Sequence, residues 1–379
     1  MKSNRISARS FAQLPLTASC LLIAAWWSLS GCGEQFNMDQ LPVTSSAGIV
    51  GDTLYILQSP LWSGFNKPHD LRIGFDFLLY VADTDNDRIV MMDLAGNILG
   101  RSKPVRHPVA VTQDHRFDLL VACSFDTVVA GRSIMLAAIA KIRLFNVSHD
   151  IGAAPVEIVY HEPLTKSMRA YSGIAALADN SYYVTRTGPE NASPVDPDQG
   201  ILHFNKSDLL YPRDLIDVSP ILQIGGTGLT VLDNPSGITT FNDRRYPTDF
   251  ILTQTGSQSL YKVQWLTFRG GGDFSVPSWE SRFSQIGDAG KAIVTDNFFS
   301  RPEGVTVDDR GNIYVVDAGL DSLVKMNSRG EILRESFGPA KSNKALNHPM
   351  GVAYFDRTLY IADTDNNRIL RYRLSTDTR

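Results

Sequence analysis

Five segments place a proline at a turn directly ahead of a short apolar run: Pro68-His69-Asp70-Leu71, Pro108-Val109-Ala110-Val111, Pro235-Ser236-Gly237-Ile238, Pro302-Glu303-Gly304-Val305 and Pro349-Met350-Gly351-Val352. Tyr171-Ser172-Gly173-Ile174 has the same form with tyrosine in the proline position. The residue after that position therefore recurs as His69, Val109, Ser172, Ser236, Glu303 and Met350. Two of these side chains can do chemistry. An imidazole and a carboxylate can pass a proton, or with a further oxygen donor hold calcium or zinc. His69 and Glu303 are thus the candidate catalytic and metal-binding residues. The hydroxyls of Ser172 and Ser236 are candidate ligand contacts. The competing reading of His69 and Glu303 is that they line a wet channel.

A second pattern is the near-duplicate Leu79-Tyr80-Val81-Ala82-Asp83-Thr84-Asp85-Asn86-Asp87-Arg88-Ile89 and Leu359-Tyr360-Ile361-Ala362-Asp363-Thr364-Asp365-Asn366-Asn367-Arg368-Ile369, with a looser copy from Ile313 to Leu323 that carries Asp317. Alternating oxygen ligands suggest calcium, but the run lacks the glycine and distal glutamate of an EF-hand loop. A structural role is expected instead: Asp83 with Arg88, Asp363 with Arg368, and Asp317 in its own turn, joined by bidentate pairs and Asx turns that tie neighbouring units. Other catalytic patterns are missing. There is no Gly-x-Ser-x-Gly elbow, the glycine clusters 225–228 and 270–272 lack the lysine and serine of a P-loop, and Cys123 sits in an apolar run without an activating partner.

Self-similarity at a recurring spacing implies a repeat architecture. The six starts, at 68, 108, 171, 235, 302 and 349, lie 40 to 67 residues apart. The shortest spacing fits four strands of about six residues with tight turns. After each start comes a hydrophobic alternating strand such as 312–317, a third such as 322–326, and an outer one such as 331–337. Turn signals such as Ala95-Gly96-Asn97 separate them. The expected fold is all-β, a six-bladed β-propeller of four-stranded antiparallel blades. The sixth unit has only three strands before the chain ends, and an unassigned strand, 48–57, precedes the first. That strand is expected to complete the last blade, so that no edge is left unpaired.

These units resemble the NHL repeat: Pro302 to Asp317 and Pro349 to Ile369 follow its proline, glycine-valine and Asn-Ile-Tyr-Val-Ala-Asp pattern closely, whereas units two to four keep the strand and lose the aspartate. The resemblance implies a propeller whose site lies on the axis. Peptidyl-α-hydroxyglycine α-amidating lyases, similar NHL-like rings, grip zinc with three Pro-His starts, of which only Pro68-His69 is matched here. Gluconolactonase- and strictosidine-synthase-like propellers use an axial calcium, for which Glu303 would be one ligand.

The N-terminus reads as an address. Lys2, Arg5 and Arg9 precede a broken apolar run and then Leu29-Ser30-Gly31-Cys32, which resembles a bacterial lipobox. The apolar run is too short and interrupted to span a membrane. The expected organisation is a lipoprotein signal peptide, 1–31, a tether, 32–46, lipidated at Cys32, and the propeller, 47–379. Acyl chains would hold the protein to the envelope on its extracytoplasmic side, at the outer membrane in a Gram-negative host. Without the three leader cations, 33 basic residues face 40 acidic ones, a net of −7, which argues against a nucleic-acid partner. The expected role is a monomeric binding or scaffold module for a protein, peptide or carbohydrate; the alternative is a metal-dependent lactonase- or lyase-like enzyme with its site at His69 and Glu303. Loops 187–200 and 125–140 are long enough to carry recognition.

Overall fold

The computed structural model describes residues 53–193, 196–211, 222–224, 227–270, 278–338 and 346–377. The leader, Cys32, residues 48–52 of the expected closing strand, and parts of both glycine clusters lie outside them. Within the described residues the chain forms a six-bladed β-propeller of antiparallel sheets. The inner strands are Pro68–Ile73, Ala110–Gln113, Ala170–Ala176, Pro235–Thr240, Pro302–Val307 and Pro349–Phe355. Each contacts the next, and the sixth contacts the first, so the ring is closed.

Alternation explains why the second strands are buried throughout. In blade one, Tyr80 and Ala82 pack against blade two, while Leu79 and Val81 pack against blade six. The same division gives six apolar clusters, one between each pair of neighbours round the circle. A strand with neighbours on both faces must be apolar on both.

The expected closing strand is present. Tyr55–Leu57 pairs antiparallel with the last strand, Arg368–Leu374, setting Tyr55 opposite Leu374 and Leu57 opposite Tyr372. A second short strand, Trp62–Ser63, pairs with the same one further along. The Trp62 indole is roofed by the Arg371 guanidinium at 4.4 Å. Two blades fall short of the four-stranded expectation. Blade three has three strands and a single further bridge, Phe204 to Leu210; in blade five the expected outer strand 331–337 is reduced to the bridges Met326–Ile332 and Leu323–Phe337.

The recurring glycine of the blade start has a packing cause. A Cβ on Gly237 would lie 2.3 Å from the Glu303 carbonyl oxygen, and one on Gly304 would lie 2.5 Å from that of Met350. One on Gly351 would lie 2.8 Å from that of His69. Neighbouring inner strands thus approach backbone to backbone, which hydrogen alone permits. Blades one and two carry Asp70 and Ala110 at this position.

Candidate functional site

The acidic turns prove to be the bolts of the ring. Asp83 Oδ2 accepts from Arg88 Nε (2.8 Å) and Asn86 Nδ2 (2.8 Å), while Oδ1 accepts from the Asn66 amide (2.7 Å). Asp363 repeats this with Arg368 Nε, Asn366 and the Asn347 amide. Asp317 instead takes the amides of Ser300, Arg301 and Gly319. Each aspartate therefore clamps the loop entering its own blade. This corrects two parts of the sequence reading: the arginine engages through one nitrogen because the other carboxylate oxygen is needed for an amide, and the pair does not cross between blades.

The crossing is made by the residues that follow. Thr84 Oγ1 donates to the Pro108 carbonyl and Thr364 Oγ1 to that of Pro68, both at 2.7 Å. Asp87 accepts the His107 amide (2.7 Å), Asn367 accepts that of Lys67 (2.8 Å), and Asp321 accepts that of His348 (2.7 Å). Blade six is bolted to blade one as blade one is to blade two.

The six residues after the proline position do converge. His69, Val109, Ser172, Ser236, Glu303 and Met350 line one axial cavity of about 30 Å³. That volume suits a water molecule or so. Ser172 Oγ donates to the Pro235 carbonyl and Ser236 Oγ to that of Pro302, each at 2.6 Å, so both hydroxyls serve the same blade-to-blade ties. Glu303 is buried and paired with Arg301 Nε at 2.7 Å. Burial pushes its carboxyl up, against the opposing pull of Arg301. Burial also pulls the His69 imidazole down to about 4 and pushes Asp70 up to about 6, the latter while accepting the Val111 amide at 2.9 Å. Among the described residues no three His, Cys, Asp or Glu side chains group so as to hold a metal ion.

A larger opening lies where the inner strands of blades four and five end. It encloses about 340 Å³ between turns 240–246 and 308–311. Its inner wall includes Arg72, which extends from blade one to blade four and approaches Thr239 Oγ1 at 3.5 Å. The other walls include Asn242, Tyr246, Arg310 and the Asp243–Arg245 pair, which is closed at 2.6 Å. Arg282 lies over the Trp265 ring at 4.3 Å and the Tyr246 ring at 5.1 Å. Sequence reasoning passed over this region, although one signal was there: at the position of Arg72 the other inner strands carry Thr112, Ala175, Thr239, Thr306 and Ala353.

The described part of loop 187–200 is held by buried ion pairs, whereas segment 125–140 is a strand hairpin. Arg169 meets Glu162 and Asp198 at 2.9 Å, and Arg186 meets Glu162 at 3.1 Å. All four side chains are buried, and Asp198 thereby fixes the loop of blade three. Strands Asp118–Val129 and Arg132–Arg143 extend blade two beyond the ring and expose Val128 and Met135.

No protein-family description matches the chain, and no curated protein does. Solved structures do. An auxiliary nutrient binding protein from Bacteroides ovatus is similar with a TM-score of 0.56 at 11% identity, covering 85% of this chain and 77% of that one. A gluconolactonase of Xanthomonas campestris gives 0.52 at 13% identity, covering 86% and 90%, and a luciferin-regenerating enzyme gives 0.54 at 12%, covering 84% and 95%. At such identities the likeness is one of fold, and the fold it supports is the six-bladed β-propeller seen here.

Proposed function

We propose that this chain is a binding module held at the extracytoplasmic side of a bacterial envelope by lipid on Cys32, and that it takes a carbohydrate in the cavity between blades four and five. The observation that carries this reading is the contrast between two openings: about 30 Å³ at His69 and Glu303 against about 340 Å³ at Arg72 and Tyr246. The former accepts no sugar, and the latter falls in the size range of small-molecule sites. Its lining mixes aromatic faces with donors and acceptors, as hydroxyl-rich ligands require. The names of the similar structures span both binding and lactone chemistry, so fold does not choose between them.

A second reading keeps some support. His69, Asp70 and Glu303 all depart from their ordinary ionisation within one axial cluster, and such clustering is characteristic of active sites as well as of buried structural groups. Binding to a carbohydrate array separates the two. Asn242→Trp, which fills the larger cavity, should abolish binding, and Glu303→Gln should leave it intact. Binding that survives Asn242→Trp would overturn the proposal, and sugar-lactone turnover lost in Glu303→Gln would establish the enzymatic reading.

A further inference from the structure

A half-buried guanidinium stands in the wall of the larger cavity with no ion-pair partner among the described residues. Arg72 belongs to the inner strand of blade one, yet its head group lies at the wall of the cavity between blades four and five. Its one hydrogen bond is the long contact to Thr239 Oγ1, and among the described residues it forms no ion pair. Burial pulls its pKa down, opposed only by the field of Asp70. Asp70 itself turns away, accepting the Val111 amide of blade two. A cation partly withdrawn from water without a partner carries a cost, which is why such charges are ordinarily paired.

Two carboxylates of the cavity already have partners. Asp243 is neutralised by Arg245. Asp308 accepts the amides of Arg310 and Asn312, the Asn312 side chain and the Tyr314 hydroxyl. Arg72 is therefore the cation at the inner end without a carboxylate partner, while Asn242 and the exposed, oppositely charged Asp309 and Arg310 stand nearer the outside. A ligand matching that arrangement carries a single negative charge at its leading end and hydroxyls behind it.

Resting on the binding role proposed above, we infer that the ligand is a monosaccharide-sized carboxylate, a sugar acid, whose carboxylate is received by Arg72. The planar fork of a guanidinium suits a carboxylate in two-point contact. A phosphate dianion fits less well, because a single guanidinium would face its two negative charges and the lining as a whole carries no excess of cations.

The test is calorimetric titration of the full lipidated chain in detergent with D-glucuronate, with its neutral isostere D-glucuronamide, and with glucose 1-phosphate. Glucuronate should bind at least tenfold more tightly than either of the others. Arg72→Gln should erase the preference for glucuronate over glucuronamide, and Arg72→Lys should keep part of it. The melting temperature of ligand-free Arg72→Gln should equal or exceed that of the parent, since an uncompensated charge is removed. A fall of several degrees would mark Arg72 as a structural brace and overturn the inference. So would equal binding of glucuronate and glucuronamide, although that result leaves the carbohydrate-binding role standing. Preference for the phosphate would reassign the anion and likewise overturn it. Absence of binding by all three probes would count against both the inference and the cavity as a sugar site.

Discussion

Asp70 and His69 are neighbours whose titrations oppose each other. The imidazole, pulled down to about 4 by burial, takes up its proton more readily in the unfolded chain. Its contribution to stability is present above its ordinary value of 6.5 and is lost as pH falls toward 4. The carboxyl, pushed up to about 6, behaves in the opposite sense: its contribution is present below 3.8 and is lost as pH rises through 6. Between pH 4 and 6 the two slopes offset one another. Asp70→Asn should expose the histidine alone, so that urea midpoints climb between pH 4.5 and 6.5 by an amount worth about 1–3 kcal/mol relative to the parent. A variant whose midpoints follow the parent across that range would show that the pair does not titrate in this way. At this scale the candidate site was only half legible. The convergence of His69, Ser172, Ser236 and Glu303 follows from repeat position, which sequence shows directly. How narrowly the strands close around them depends on glycine contacts between blades, and no single segment reveals those.

At the scale of the element, the inner strand is defined by how closely its neighbour approaches. Gly237 has ordinary backbone angles but faces the Glu303 carbonyl and Thr253 Oγ1. Gly237→Ala should therefore cost about 3 kcal/mol, through overpacking rather than turn strain. Gly270→Ala, with nothing among the described residues within 4 Å of the new methyl group, is the control and should be near neutral. Equal melting temperatures for the two variants would mean that the strands can part without penalty. The duplicated Asp-Thr-Asp-Asn turn is understood at this scale too. Its similarity between blades one and six reflects the same fastening used twice: aspartate holds its own blade, threonine the next. Sequence alone suggested a tie, but the division of labour among adjacent residues depends on which way each side chain leaves a short 3₁₀ turn.

For the whole molecule, the blade count, the strand order and the closure were legible because each unit repeats the same turn and the same alternating strand. Blades three and five were read less well, since an outer strand with one neighbour needs fewer apolar residues and leaves a fainter pattern. Deleting residues 47–58 should remove the strand that closes the ring, expose the edge of Arg368–Leu374, and lower the melting temperature by ten degrees or more. An unchanged melting curve would show that Trp62–Ser63 suffices as a latch. That latch also orders events in time. The amide of Leu54 donates to Ser375 across 321 positions of sequence, so the first strand of the described residues must wait for the last of them to find its partner. A chain interrupted before Arg368–Leu374 carries this short strand with nothing to pair it to. Contacts this distant are slow to form because loop closure must precede them. The propeller is thus fastened where its first and last described strands meet.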